Sequence, residues 1–401
     1  MERHSSFFPA EPWHLDGAVW TRVRNTIIFV MLLSWLASLS GYFLDAKRFF
    51  ASYLTGFVSL TLIPLGCLFF VMVMYLTGSA WSVTMRRIFE TIMYVVPAGL
   101  VLFIPIGLGI HEIYEWSHAE VVAKDPVLQG KAAWLNETGF VVRSLLYFAI
   151  WSFLAWWLYT QSTAQDRTKS LQPMARAEAL SAPGLLLTFL ATSFAAFDWV
   201  MSLDPHWFST IFGVYVYAGG GLASIAVVTL ICLWFRENGI LKESITVEHY
   251  HDLGKWLFAL TVFWTYIAFS QYMLIWYANL PEETIFYQKR FTGNWLGMSV
   301  ALVMGHFVIP FFALLPRAAK RNLRVLRAAG IWILVFCYLD VYWLVMPNFY
   351  PEGFRLHWQD LSCLAAVASA YGLVFWLWLK QHSLVPAGDA RLAQSLAHVN
   401  V

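Results

Sequence analysis

The sequence predicts an all-α, polytopic membrane protein of ten transmembrane helices, and three observations lead there. Of its 401 residues, 59% are hydrophobic and only 12% charged, about half the charged fraction of a soluble domain. Runs of the roughly 20 apolar residues needed to cross about 30 Å of hydrocarbon recur ten times. Lysine and arginine are dense in one connection and sparse in the next, as expected when successive loops lie on opposite sides of a membrane.

The chain opens on a polar stretch, Met1 to Arg24, with Glu2, Glu11 and Asp16 ahead of any apolar run. That is unlike a cleaved signal peptide, so the first span, about Thr26 to Leu44, reads as permanent. The second, Phe49 to Leu76, and the third, Ile88 to Ile110, flank the basic pair Arg86 and Arg87. The longest connection follows, carrying His111, Glu112, Glu115, His118 and Glu120. Its spacing looks metal-like, but a solvated amphipathic stretch is the ordinary explanation, and no metal is expected. Span four, Gly139 to Thr160, has Arg143 near its start, and span five, Pro183 to Leu203, contains Asp198.

The second half repeats the pattern with Ile211 to Phe235, Trp256 to Asn279, Trp295 to Leu315, Ala328 to Met346 and Leu361 to Leu379. Gly219, Gly220 and Gly221 in span six point to close helix packing. His306 is the one histidine deep within a span. A membrane b-haem needs two facing histidines, so the chain is not expected to hold haem alone. The connection before span nine, "PRAAKRNLRVLR", is the strongest orientation signal. Of 26 lysines and arginines, 18 fall on one side by this count, which predicts that both termini are cytoplasmic.

A net charge of +2 offers no field for nucleic acid or an acidic substrate. The four cysteines, Cys67, Cys232, Cys337 and Cys363, lie in apolar runs without C-x-x-C spacing. Buried thiols fit them better than metal or haem ligation.

Two segments align: "FAAFDWVMSLDPHWF" from Phe194 and "FCYLDVYWLVMPNFY" from Phe336. Both read F-x3-D-x6-P, then His or Asn, then two aromatics. The match predicts an internal repeat, with a first four-helix bundle over 49–203, a second over 211–346, and spans one and ten outside them, the whole of 1–401 forming one integral membrane domain. An even number of spans separates the two segments, so they run parallel, one of the two repeat symmetries of membrane proteins.

Asp198 and Asp340 then occupy equivalent places, about 10 Å below the membrane rim at 1.5 Å per residue. An ionised carboxylate at that depth costs a few kcal/mol and must face the protein interior with a partner or a water path. For Asp198 the nearest cation is Arg143, and a structural ion pair stands against a proton relay or a quinone contact. Asp204 and His206 follow in the next connection, where a proline-led turn competes with a proton exit. Span seven carries Thr265, Tyr266, Gln271 and Tyr272; positions 261, 265 and 272 share a helix face. That polar stripe either bonds across helices or lines a proton path.

"SFAAFDWVMSLDPHWFSTIFGVYVYAGG" and "YIAFSQYMLIWYANLPEETIFYQKR" resemble the ActF-type membrane subunits of bacterial alternative complex III, related to the polysulfide-reductase membrane subunits of the NrfD-like family. The resemblance spans nearly the whole chain. It implies a place in a bacterial inner-membrane quinol:electron-acceptor oxidoreductase that reduces cytochrome c or a terminal oxidase. The implied partners are a homologous NrfD-like subunit, an iron–sulfur/molybdopterin-like subunit and haem c subunits. Redox cofactors would belong to those partners, leaving quinone or menaquinone as the one cofactor this chain could meet. An outer proton route through Asp198, Asp204 and His206, with Asp340 as the repeat counterpart, is expected on that basis. An independent secondary transporter and a purely structural anchor of the same complex compete with it.

Overall fold

The computed structural model describes residues 13–400. Ten helices are long and apolar enough to span a membrane: α1 (Gly17–Leu44), α2 (Ala46–Leu76), α3 (Val83–Leu108), α4 (Glu137–Thr168), α5 (Gln172–Leu203), α6 (Phe212–Glu237), α7 (Val247–Ala278), α8 (Asn294–Leu314), α9 (Leu323–Asn348) and α10 (Trp358–Leu379). No strand occurs among the described residues. The protein is therefore all-α and multi-pass.

Helices α2 to α5 pack on one another, as do α6 to α9, and the two groups meet where α6 lies against α2 and α5 and where α9 lies against α2. Helix α10 packs on α2 and carries α1 on its outer side. In both α2 and α6, 72% of the apolar window is buried, against 17% in α1. Those two helices are the centre, and α1 is the rim. Glycine makes the central contact: a Cβ on Gly66 would sit 2.7 Å from the Gly220 carbonyl oxygen and 2.7 Å from Ser224 Oγ. Helix α6 runs unbroken through Gly219 to Gly221, and of the three Gly220 serves packing, since a Cβ there would lie 3.0 Å from Leu62 Cβ, whereas Gly219 and Gly221 meet only ordinary contacts.

Several helices outrun their apolar runs. Helix α4 continues to Thr168 and α7 begins at Val247, nine residues ahead of the expected Trp256. A capping box between Thr246 and His249 starts α7, satisfying end groups that hydropathy does not register. The long connection after α3 holds short helices at Ile110–Ile113, Ala119–Val122 and Pro126–Lys131. A further one, Pro281–Arg290, precedes α8.

Two spans are interrupted, each beside a proline. Helix α3 breaks at Tyr94 and Val95, where Pro97 has no N–H for the carbonyl of Met93. Helix α8 widens into a π-turn over Val303–Val308, just before Pro310, which likewise leaves the carbonyl of His306 without a donor. The turn is held from outside, because Trp332 Nε1 donates to the Gly305 carbonyl at 2.7 Å.

Both ends of the bundle are pinned by charge. Leu384 N donates to Trp13 O at 2.8 Å, so the two described ends share a face. On that face Arg86 and Arg87 are buried around Glu90: Arg86 Nε lies 3.0 Å from Glu90 Oε1, and Arg86 Nη2 lies 2.7 Å from Asp389 Oδ2. On the opposite face Arg48 pairs with buried Asp360, joining α2 to α10.

Candidate functional site

Asp198 is fully buried. Asn136 caps α4, its side chain accepting from Gly139 N at 2.7 Å, and this start places Arg143 and Tyr147 one turn apart, facing α5. Arg143 Nε donates to Asp198 Oδ2 at 2.8 Å and Nη2 to Oδ1 at 3.0 Å. Tyr147 Oη adds a bond to Oδ2 at 2.8 Å, and Trp134 Nε1 one to Oδ1 at 2.8 Å. The Arg143 guanidinium lies 4.2 Å from the centre of the Trp134 ring. Four hydrogen bonds, two of them from the bidentate arginine, hold this carboxylate in place. The bond from Trp199 Nε1 to Ser144 Oγ, 3.0 Å, ties the same two helices one residue further on.

Asp340 is buried as well, at 3% exposure, but it is held differently. Tyr215 of α6 donates to Oδ1, and Trp264 Nε1 of α7 donates to Oδ2 at 3.1 Å. Among the described residues no cation pairs with it. The two acids are therefore not in matching surroundings, since Asp198 is served from α4 and its flanking loop while Asp340 is served from α6 and α7. This corrects the expected equivalence of the pair.

An arginine accounts for the difference. Arg290, just ahead of α8, is fully buried where Arg143 is half-buried, and its Nε and Nη2 donate to the Trp343 and Leu344 carbonyls at 3.1 and 2.8 Å. The second bundle's arginine thus spends its donors on the end of α9, near the helix terminus where cations are favoured, and leaves Asp340 to neutral donors. Trp343 Nε1 reaches Ser299 Oγ at 2.8 Å, a link between α8 and α9 like the one between α4 and α5.

Asp204 and His206 do not form a joint route. Asp204 pairs with Lys289 Nζ at 2.5 Å, and His206 Nε2 meets Asp125 Oδ2 at 2.6 Å in the long connection. Each ties the turn between α5 and α6 to a different surface segment. Of the α7 residues, Thr265 donates to the Thr261 carbonyl at 2.8 Å within its own helix, so the stripe does not bond across helices there. Gln271 faces inward and accepts from Ser209 Oγ at 3.2 Å. Steps of 100° along a helix separate it from Thr265, Tyr266 and Tyr272, which instead line a cleft.

That cleft, of about 750 Å³, lies between α7 and α8, with Tyr215, Trp264 and Trp343 in its inner wall and Phe291, Val303 and Phe307 along its sides. Asp340 stands directly behind Tyr215 and Trp264. On its other side Asp340 borders a void of about 20 Å³ lined also by Ser59, Gly219 and Cys337, roughly one water in size. His306 is buried 3.8 Å ring to ring from Trp264; its Nδ1 has no partner, and its Nε2 lies 3.6 Å from Cys337 Sγ.

Among the described residues no three His, Cys, Asp or Glu side chains converge as a metal site would require. In the long connection, His118 Nε2 meets the His111 carbonyl at 2.9 Å and His111 Nδ1 meets Ser117 Oγ at 3.2 Å.

Sequence reasoning missed Tyr147, Trp134, Tyr215 and Trp264. Only Tyr147 carried a local signal, lying four residues from Arg143 on one helix face. It also missed the Arg86, Arg87 and Glu90 cluster, which the i,i+3 and i,i+4 spacing could have revealed. Compared with known proteins, the chain matches no family model, and no curated protein is significantly similar to it.

Proposed function

We propose that this chain is a membrane subunit of a quinol-oxidising respiratory or photosynthetic complex, of the ActF type within the NrfD-like family, in a bacterial inner membrane with both termini cytoplasmic. In this reading it carries no redox centre of its own and supplies a proton-handling group within the membrane, beside redox subunits that hold haem c and iron–sulfur clusters. The single observation that supports it most is the contrast between the two acids. Asp198 is neutralised by a bidentate arginine and serves structure. Asp340 has two neutral donors, an aromatic cleft on one side and a water-sized void on the other.

A buried carboxylate without a cation gains or loses a proton at less electrostatic cost than one locked to arginine. Quinol oxidation releases two protons for every two electrons, and a group with this freedom could take one up. Asp204, His206, Thr265 and Gln271 then act as supports of the loops and of α7 around that group. The shared pattern of the two repeat segments thus divides into one structural acid and one working acid.

The test is purification from the native membrane followed by turnover. The chain should bring haem-bearing partners with it, and Asp340→Asn should lower quinol-driven electron transfer with assembly intact. A chain that purifies alone would favour an independent transporter. Full activity in an assembled Asp340→Asn complex would leave only the structural anchor.

A further inference from the structure

We propose that a second pocket, between the long connection and the end of α5, binds the phosphate of a membrane phospholipid through Lys131 and Trp207, with an acyl chain lying along α5. The site is separate from Asp340 and its cleft, and it does not depend on the reaction that the complex performs.

The pocket, of about 200 Å³, lies on the face opposite the two described ends, where Lys131, Trp134, Met201, Pro205, Trp207 and Phe208 surround it. Two donors in its lining are unspent. The Trp207 side chain is only 3% exposed and its ring stacks on Phe286 at 4.2 Å between centres, yet its Nε1 has no hydrogen-bond partner. Lys131 Nζ gives one hydrogen to the Pro205 carbonyl at 2.5 Å, and an ammonium has two more. Nearby carboxylates are engaged elsewhere, Asp204 with Lys289 and Asp125 with His206. Among the described residues no carboxylate pairs with Lys131, so the pocket keeps one uncompensated cation. The remaining donors are committed, Trp134 Nε1 to the Asp198 carboxylate and Ser202 Oγ to the Asp198 carbonyl. A phosphate diester offers several anionic oxygens at once and can accept from an ammonium and an indole N–H together.

The surroundings favour a lipid as its source. Leu187, Leu190, Phe194 and Phe197 fall within about 80° of one another around α5, at 100° per residue. Phe197 lines the pocket, and Leu187, Leu190 and Phe194 lead away from it along the helix, 44, 41 and 39% exposed. Phe208, 57% exposed, stands at the mouth with its ring 5.5 Å from Lys131 Nζ. A free phosphate would have no use for this apolar stripe, and an acyl chain alone none for the cation. A lipid held here covers Trp134, and so shields the Arg143–Asp198 pair from water.

The experiment is native mass spectrometry of the protein purified from its membrane and stripped of lipid in detergent. It is titrated in turn with dioleoylphosphatidylglycerol, dioleoylglycerol and inorganic phosphate. The first phosphatidylglycerol retained should bind about tenfold more tightly than dioleoylglycerol, which has the chains without the phosphate. Inorganic phosphate should not displace it. Lys131→Ala should weaken retention by about tenfold and Trp207→Phe, which keeps the stack on Phe286, by about fivefold; Lys131→Arg should keep most of it. Should Trp207→Phe misfold, Phe208→Asp at the exposed mouth tests the same point by repelling the phosphate.

Equal retention of dioleoylglycerol would overturn the proposal in favour of a bare apolar groove, and displacement by inorganic phosphate in favour of a free-anion site. Retention that is the same in the native protein, Lys131→Ala and Trp207→Phe would overturn it outright. So would a zero-length crosslink from Lys131 to a carboxylate of a partner subunit in the intact complex, the mark of a protein contact in place of a lipid.

Discussion

Trp264 Nε1 donates to Asp340 Oδ2 at 3.1 Å from the wall of the α7/α8 cleft, while Tyr215 holds the other carboxylate oxygen. Neither donor is charged. Asparagine at 340 would keep the volume and one acceptor while removing a buried charge that has no counter-ion. Asp340→Asn should therefore leave the melting temperature of the purified chain unchanged or raise it, because an unpaired buried charge costs stability. A large drop in the melting temperature would show that the carboxylate is structural.

Arg143 and Asp198 should behave in the opposite way. Arg143→Met strands a fully buried carboxylate and should cost about 3–5 kcal/mol, read as loss of folded protein in detergent melts. The double variant with Asp198→Asn should recover a substantial part, since the two side chains are in direct contact and their effects are not additive. Arg143→Lys should fall between, because lysine cannot reproduce the bidentate pair.

Gly305 tests the π-turn of α8. A Cβ there would stand 1.9 Å from Phe336 Cζ, so Gly305→Ala should destabilise by about 1–3 kcal/mol through overpacking. Phe336→Leu in the same chain should relieve most of that cost. A Gly305→Ala protein with an unchanged melting temperature would mean that α8 shifts freely against α9.

The segment after α10 gives a pH dependence. Burial pushes the Asp389 carboxyl up, but Arg86 beside it and the Arg391 backbone N–H outweigh that and hold it below its ordinary range. A carboxyl lowered on folding adds stability that is present above about pH 3.9 and is lost as pH falls through the folded value. Limited proteolysis should therefore cut residues 380–400 faster as pH drops below about 4. Asp389→Asn should be cut readily at neutral pH and show little further change on acidification.

The ten spans were legible because apolar length is written along the chain itself. The Arg143 partnership was legible too, since both residues lie near the same ends of consecutive spans. The setting of Asp340 was not. Its donors come from residues 125 and 76 positions away on two other helices, and nothing in local pattern reports such convergence. The repeat even misled at this point. Matching residues at 198 and 340 suggested matching surroundings, whereas Arg290 binds the carbonyls at the end of α9 and leaves its bundle's acid to a tyrosine and a tryptophan. Polar helix ends, such as the extension of α7 back to Val247, were hidden because capping, not hydropathy, sets them.

The most direct test is an infrared pH titration of the purified chain, comparing the native protein with Asp198→Asn and Asp340→Asn. A protonated-carboxyl C=O band that appears and disappears with pH should be present in the native protein, retained in Asp198→Asn and absent from Asp340→Asn. A titrating band that survives Asp340→Asn, or one that vanishes with Asp198→Asn, would contradict the division of the two acids into a working group and a structural one.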